Sequence, residues 1–148
     1  MQCRKASNKN HMQKTFTILK PDTVRAGRAG AIITEIEKAG FRIRAMKMLH
    51  LTEPQAQGFY YVHKERPFFG SLVKFMTEGP IVAMILEADN AVEKLRKVMG
   101  ATDPAKAEAG TIRKQFGTNI ERNAIHGSDG PETAAFEIGY FFNQLEIV

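Results

Sequence analysis

Cysteine is almost missing from this chain. Cys3 stands alone among 148 residues, which excludes an intrachain disulfide and leaves a zinc–thiolate site without its ligands. Long apolar runs are missing as well. The most apolar stretch, IVAMIL at 81–86, falls far short of the ~20 residues needed to cross a bilayer. The first residues lack the apolar core of a secretory signal, so the expectation is a cytoplasmic protein with no membrane partner. Repeats and low-complexity segments are absent too. Acidic residues are missing from the first 14 positions, which hold Arg4, Lys5, Lys9 and Lys14. The formal charge of +5 is therefore concentrated there, because 17 basic residues face 16 acidic ones from Thr15 onward. A nearly neutral body argues against nucleic acid as the main partner. The leading segment MQCRKASNKNHMQK has too little apolar surface to bury itself. Residues 1–13 are expected to be a disordered N-terminal extension, with Met12 as an alternative start, and residues 14–148 to be the folded domain.

What remains is ordinary for a soluble domain: 43% hydrophobic and 25% charged residues, in a length that can bury a core. TFTILK (15–20) is a β-rich run stopped by Pro21. Ile32, Ile33 and Ile36 recur at helical spacing until Gly40. FRIRAMKMLHL (41–51) alternates as a half-exposed strand, with Phe41, Ile43, Ala45 and one methionine on one face. A helix opens at Pro54 and runs to about Val62, and another carries Phe69, Leu72, Val73 and Met76 before Gly79-Pro80. IVAMIL is apolar throughout, as a strand covered on both faces is. Residues 91–99 show one more helical stripe: Val92, Leu95, Val98 and Met99. No period survives from Gly100 to Gly117, and so long an irregular segment is usually functional. A short strand near 120–125 and a helix over 130–142 complete the chain. Four strands interleaved with helices predict an α+β sandwich of the ferredoxin-like β-α-β-β-α-β type.

The chemistry concentrates in NAIHGSDGPE (123–132). Asp129, with Glu132 three residues later, reads as a capping box, and Pro131 suits a first helical turn. A helix starting there offers free N–H groups and a partial positive charge, so it favours an anion, and His126 stands beside it. On that helix Ala134, Glu137, Ile138 and Phe141 share one stripe, which puts a carboxylate among apolar side chains. A buried carboxylate needs a partner. If Glu137 accepts a hydrogen bond from one nitrogen of His126, it fixes the tautomer and frees the other nitrogen as a nucleophile. Phe136 and Tyr140 blur the stripe on the outer side. Taken singly, these residues also have plain readings. Lys20 suits a strand end, Arg96 a solvated helix face, Arg113 a loop charge and Phe68 a core position, while His11, His50 and His63 read as packing or surface residues.

NAIHGSDG closely resembles the active-site signature of the nucleoside diphosphate kinases, Asn-x-x-His-Gly-Ser-Asp-Ser. TFTILKPD, RPFFGSLVKFMTEGPIVAMILE and MGATDPAKAEAGTIRKQFG resemble that family's opening strand, its nucleotide-clamp helices with the central strand, and its long loop. The likeness runs from about Thr15 to Ile147, in the family's order. Gly130 departs from it, standing where the signature has its second serine. The resemblance implies transfer of a γ-phosphate from a nucleoside triphosphate to a diphosphate by a ping-pong route through a phosphohistidine at His126. It implies that Glu137 orients His126, that Ser128 bonds Glu137, and that Tyr60 lies close to the histidine. It assigns Arg96, Thr102 and Arg113 to the phosphates, Lys20 and Asn123 to the sugar hydroxyls, and Phe68 and Ile120 to the two faces of the base. Stacking with few base-edge contacts implies broad base specificity. Mg²⁺ is expected to arrive on the nucleotide phosphates, since no carboxylate cluster would hold it separately. A homo-oligomer, tetramer or hexamer, is implied as well. The competing readings are an inert nucleotide-binding module, a nucleic-acid binder using the basic tail or the sheet, and a phosphohistidine relay to another protein.

Overall fold

The computed structural model describes residues 11–148. The expected disordered extension therefore falls mostly outside the described residues. Its last part does not: Met12 and Gln13 belong to the first strand and pair with Asp89 and Ala88.

Four strands form one antiparallel sheet: β1 (Met12–Leu19), β2 (Arg42–Leu49), β3 (Ile81–Asp89) and β4 (Ile125–Gly127), in the order β2-β3-β1-β4. The helices are α1 (Pro21–Arg25), α2 (Ala29–Lys38), α3 (Glu53–Phe59), α4 (Phe69–Met76), α5 (Ala91–Met99), α6 (Ile112–Phe116) and α7 (Pro131–Phe141). This is the expected α+β sandwich of ferredoxin-like order. Strand alternation sends neighbouring residues to opposite faces, so the sheet separates two cores. On one side Phe16, Ile18, Ile81 and Ile85 pack with Phe59 of α3, Phe75 of α4 and Phe141 of α7. On the other, Leu19, Met84 and Leu86 pack with Ile32 and Ile36 of α2, Leu95 and Met99 of α5, and Ile112 of α6. IVAMIL is buried along its whole length, as its composition predicts.

Several boundaries differ from the sequence reading. β1 begins three residues earlier than TFTILK. In β2 the pairing register shifts between Ile43 and Ala45, and such a bulge flips the side-chain alternation. Ile43 and Ala45 therefore join different cores, and Met46 and Met48 are exposed. The helix expected to reach Val62 ends at Phe59, and a separate 3₁₀ turn covers Tyr61–His63. The irregular segment 100–117 contains a 3₁₀ turn at Pro104–Lys106 and the five-residue α6. The last strand lies at 125–127 rather than near 120–125. A tight turn occupies the earlier positions, where Asn119 Oδ1 accepts from the N–H groups of Glu121 and Arg122.

Candidate active site

β4 is an edge strand aligned beside β1, with His126 opposite Ile18. Ile125 points into the α2/α5 core, so His126 points to the opposite side, toward α3 and α7. Its backbone is pinned: Thr17 Oγ1 donates to the His126 carbonyl at 2.7 Å, and the Ser128 N–H donates to Phe16 O at 3.1 Å. Gly127 is a packing requirement, because a Cβ there would lie 2.5 Å from Met99 Sδ on α5. The imidazole is edged by Phe59 at 5.4 Å, Tyr60 at 6.2 Å and Phe16 at 6.3 Å between ring centres.

The helical stripe on α7 is observed: Ala134, Glu137 and Phe141 are buried, while Phe136 and Tyr140 remain outside. Glu137 meets His126 as expected. Its Oε1 lies 2.5 Å from His126 Nε2, and its Oε2 accepts from Ser128 Oγ at 2.8 Å. An ionised carboxylate is acceptor-only, so Nε2 carries the proton and Nδ1 keeps its lone pair. The Asp129–Glu132 capping box is not formed. Gly130 occupies the N-cap position of α7 without a side-chain cap, and Asp129 turns to Arg96 of α5, which donates from Nη1 at 2.8 Å. The helix begins at Pro131, one residue later than a cap at Asp129 requires, so Asp129 precedes the N-cap and its carboxylate is free to pair with Arg96.

His126 opens onto a cavity of about 670 Å³. Of the expected residues, Lys20, Tyr60, Phe68, Arg96 and Thr102 line it, and so do Arg113, Ile120, Asn123 and Glu137. Ser128 is the exception, since it stands behind Glu137 and outside the cavity wall. Lys20 follows β1 directly and donates from Nζ to Asn123 Oδ1 at 2.7 Å, and Asn123 Nδ2 donates to Thr102 O at 3.0 Å. Burial, reinforced by the Arg113 charge and opposed by Asp22 and Glu121, pushes the Lys20 ammonium down to about 8. Arg113 spends two donors on Gly100 O and Ile125 O, at 3.1 and 2.9 Å. Burial, then Arg96, lower it to about 10 against the pull of Asp129, so it stays charged at neutral pH. The Tyr60 hydroxyl is buried with no partner among the described residues, and burial followed by the Glu137 charge raises its pKa well above the usual phenol range. It is a neutral donor awaiting an acceptor. Phe68 and Ile120 are half-exposed or more at the mouth.

Three features escaped the sequence reading. His63, taken as a surface or packing residue, lines the cavity with its ring 5.5 Å from Phe68. The Arg96–Asp129 pair joins residues too far apart in the chain to leave a local signal. Ala124, between Asn123 and His126, has φ of +74°, a costly backbone for a residue with a Cβ. Asp22 Oδ2 accepts its N–H at 3.2 Å, and its carbonyl accepts from the Lys20 N–H at 2.9 Å. The alanine's identity gave no hint of this.

The site thus joins an oriented imidazole to a cationic wall and an apolar mouth. A family model described as nucleoside diphosphate kinase matches residues 13–147. The nucleoside diphosphate kinase of Trichlorobacter lovleyi is 60% identical over 93% of this chain and 99% of that protein. That of Geobacter sulfurreducens is 58% identical over 93% of this chain and all of its own length. Among solved structures, the Aquifex aeolicus nucleoside diphosphate kinase superposes with a TM-score of 0.91 at 46% identity, covering 93% of this chain and 99% of that one. The Halobacterium salinarum enzyme, solved in complex with CDP, gives 0.89 at 39% identity, covering 93% and 92%. The chain belongs to the nucleoside diphosphate kinase family, phosphotransferases that move the terminal phosphoryl group of a nucleoside triphosphate to a nucleoside diphosphate.

Proposed function

We infer that His126 Nδ1 carries the phosphoryl group between two nucleotides that occupy the cavity in turn. The carrying observation is the 2.5 Å contact of Nε2 with Glu137, which leaves Nδ1 as the free nitrogen. The Nδ1 lone pair attacks the γ-phosphorus, the bond from phosphorus to the β–γ bridging oxygen breaks, and the diphosphate leaves. The imidazole becomes cationic as the P–N bond forms, and the buried Glu137 charge stabilises it while holding the Nε2 proton. A second diphosphate reverses the steps, giving ping-pong kinetics.

Little covalent work falls to the protein in such a transfer, so positioning and charge dominate. Arg96, Thr102 and Arg113 would hold the phosphates. Lys20 and Asn123, already bonded to each other, would hold the sugar hydroxyls, with Lys20 also near the transferred group. Tyr60 would donate its unpartnered hydroxyl toward the phosphoryl oxygen. Phe68 and Ile120 would cover the faces of the base without reading its edge, which supports broad base specificity.

The family requires a divalent cation. Among the described residues no three His, Cys, Asp or Glu side chains gather to ligate one. Glu137 is committed to His126 and Ser128, and Asp129 to Arg96. These commitments fit Mg²⁺ carried by the nucleotide's own phosphates. It would neutralise phosphate charge during transfer. No described helix is long and apolar enough to cross a membrane, in keeping with a reaction run in the cytoplasm. Assembly as a tetramer or hexamer belongs to the same reading, and mass measurement in solution distinguishes the two.

The test is incubation with γ-labelled ATP and Mg²⁺, then an unlabelled diphosphate. Label should enter the protein, survive alkali but not acid, and leave as a new triphosphate. His126→Ala should abolish both labelling and transfer. Full turnover in that variant would remove His126 from its role.

A further inference from the structure

The residue after Ile120 and the one after that both reach back to the helix that follows Phe68. Ile120 sits at the tip of a turn closed by the Thr118 N–H bond to Arg122 O at 2.7 Å and by the Asn119 side chain. Glu121 Oε2 accepts from Ser71 Oγ of α4 at 2.5 Å. Arg122 gives both terminal nitrogens to the two oxygens of Glu78, just beyond α4, at 2.6 and 3.2 Å. The Arg122 guanidinium also lies 4.7 Å over the buried ring of Phe75. Arg25, the last residue of α1, adds a second cation 3.7 Å from Glu78 and donates to its backbone carbonyl at 3.3 Å. Hydrogen bonding to Arg122 holds the Glu78 carboxyl below the ordinary glutamate range, so the pair is ionised at neutral pH.

We propose that the Ser71–Glu121 hydrogen bond and the Glu78–Arg122 ion pair are a brace that sets the gap between Phe68 and Ile120, making these four positioning residues for the nucleotide base. The proposal rests on the nucleotide reading above. An isolated surface ion pair contributes little. This one is bidentate, stacked on an aromatic ring and shared with a third charge, which is the geometry that orders a loop. Both ties leave from the turn carrying Ile120; one ends on the first turn of α4, beside Phe68, and the other just past the C-terminus of the same helix. The phosphate side is held mainly by other bonds, Asn123 to Lys20 and Thr102 and Arg113 to Gly100 and Ile125; the one long tie to the turn, Lys20 Nζ to Glu121 O at 3.5 Å, uses the Glu121 backbone and neither side-chain contact of the brace. Loosening the brace should therefore slacken the grip on the base without moving His126.

The test uses the full chain, a phosphoryl donor without a base, phosphoramidate, and a nucleotide acceptor, ADP. Wild-type, Glu78→Gln, Ser71→Ala, the double variant and Glu78→Asp are loaded by phosphoramidate and discharged onto ADP. In Glu78→Gln and Ser71→Ala the KM for ADP should rise about threefold to fivefold, as loss of one partly exposed contact gives. It should rise further in the double variant and recover in part in Glu78→Asp, with kcat and the phosphoramidate loading rate unchanged. An unchanged KM in both single variants overturns the brace. So does a fall in phosphoramidate loading that matches the nucleotide effect, because the damage is then general. Ser71→Ala removes one exposed hydroxyl contact, so it keeps the test open if Glu78→Gln folds poorly. A wild type that loads from phosphoramidate but never discharges onto ADP removes the nucleotide reading and the brace together. Normal wild-type discharge with unmoved variants removes the brace alone.

Discussion

The surroundings of Lys20 bring its charge within reach of an ordinary pH titration. The residue is 7% exposed, and burial, with the Arg113 charge beside it, pushes its ammonium down from 10.5 to about 8. Two opposite pH effects follow. The folded pKa is lower than the unfolded one, so between about 8 and 10.5 the unfolded chain binds the extra proton, and this group's contribution to stability rises with pH across that window. Phosphate binding goes the other way. As pH passes 8 the free enzyme loses a cation from the phosphate wall, and kcat/KM should fall. Bound phosphates favour the charged form, so the same limb in kcat should appear at higher pH. Lys20→Gln should abolish the limb in a kcat/KM profile, and an unaltered profile would assign the titration elsewhere. Glu137 supplies a second prediction at this scale. Glu137→Ala leaves the Nε2 proton and the Ser128 hydroxyl without their acceptor and lets the ring turn. Misplacing a reacting atom by about 1 Å costs roughly 100-fold. The single-turnover transfer rate should thus fall by about 10- to 100-fold while nucleotide affinity holds. An unchanged rate would make Glu137 purely structural. His126 and Glu137 were readable together because a 3.6-residue period puts one carboxylate in an apolar stripe. Arg96, Thr102, Arg113, Lys20, Asn123, Tyr60, Phe68 and Ile120 were assigned only by resemblance, since nothing local distinguishes a phosphate-binding arginine from a solvated one.

Elements were legible in proportion to their length. α2, α4 and α5 last long enough to show a period, and β3 is apolar throughout, so each was found within a few residues. α1 and α6 have five residues each, too few to repeat a pattern, and both were missed. The bulge in β2 was invisible because alternation cannot reveal one unpaired residue. The start of α7 shows how a one-residue offset defeats a local signal: Asp129 and Glu132 have the spacing of a capping box, but the helix begins at Pro131, so Asp129 precedes the N-cap and pairs with Arg96. Gly130 is left as an N-cap without a cap. Its φ of −163° is extended backbone that any residue adopts, and a Cβ there meets nothing within 4 Å. Gly130→Ser should therefore let Oγ accept from the exposed first turn of α7 and also reduce the freedom of the unfolded chain. The two effects together are worth about 0.5–1 kcal/mol. Denaturant unfolding should show a higher midpoint at constant slope, and an unmoved midpoint would mean that the turn already has its full complement of partners.

At the scale of the molecule, the cavity draws its walls from both cores. Phe59, Tyr60 and Glu137 belong with the α3/α4/α7 side of the sheet, whereas Arg96 and Arg113 come from helices packed on the other. β1 and β4 bring the two sides together at their edge, where His126 and Lys20 emerge. Such a pocket exists only when the whole sandwich is assembled, so nucleotide binds the native state and not the unfolded chain. ADP at 100 times its dissociation constant should then stabilise the fold by about 2.7 kcal/mol. For a chain near 150 residues that is an upward shift in Tm of roughly 5–10 °C. Protein concentration must be fixed, because any assembly would make Tm move with it. Two variants separate binding from chemistry. His126→Ala should keep nearly the whole shift, since in the proposed route the ring would accept the phosphoryl group and would not hold the diphosphate. Arg96→Ala should lose part of it, since that guanidinium pairs with the exposed Asp129 and can exchange that carboxylate for phosphate. A wild type whose Tm ignores ADP, or an Arg96→Ala variant whose shift matches it, would show that the cationic wall is not where the phosphates bind.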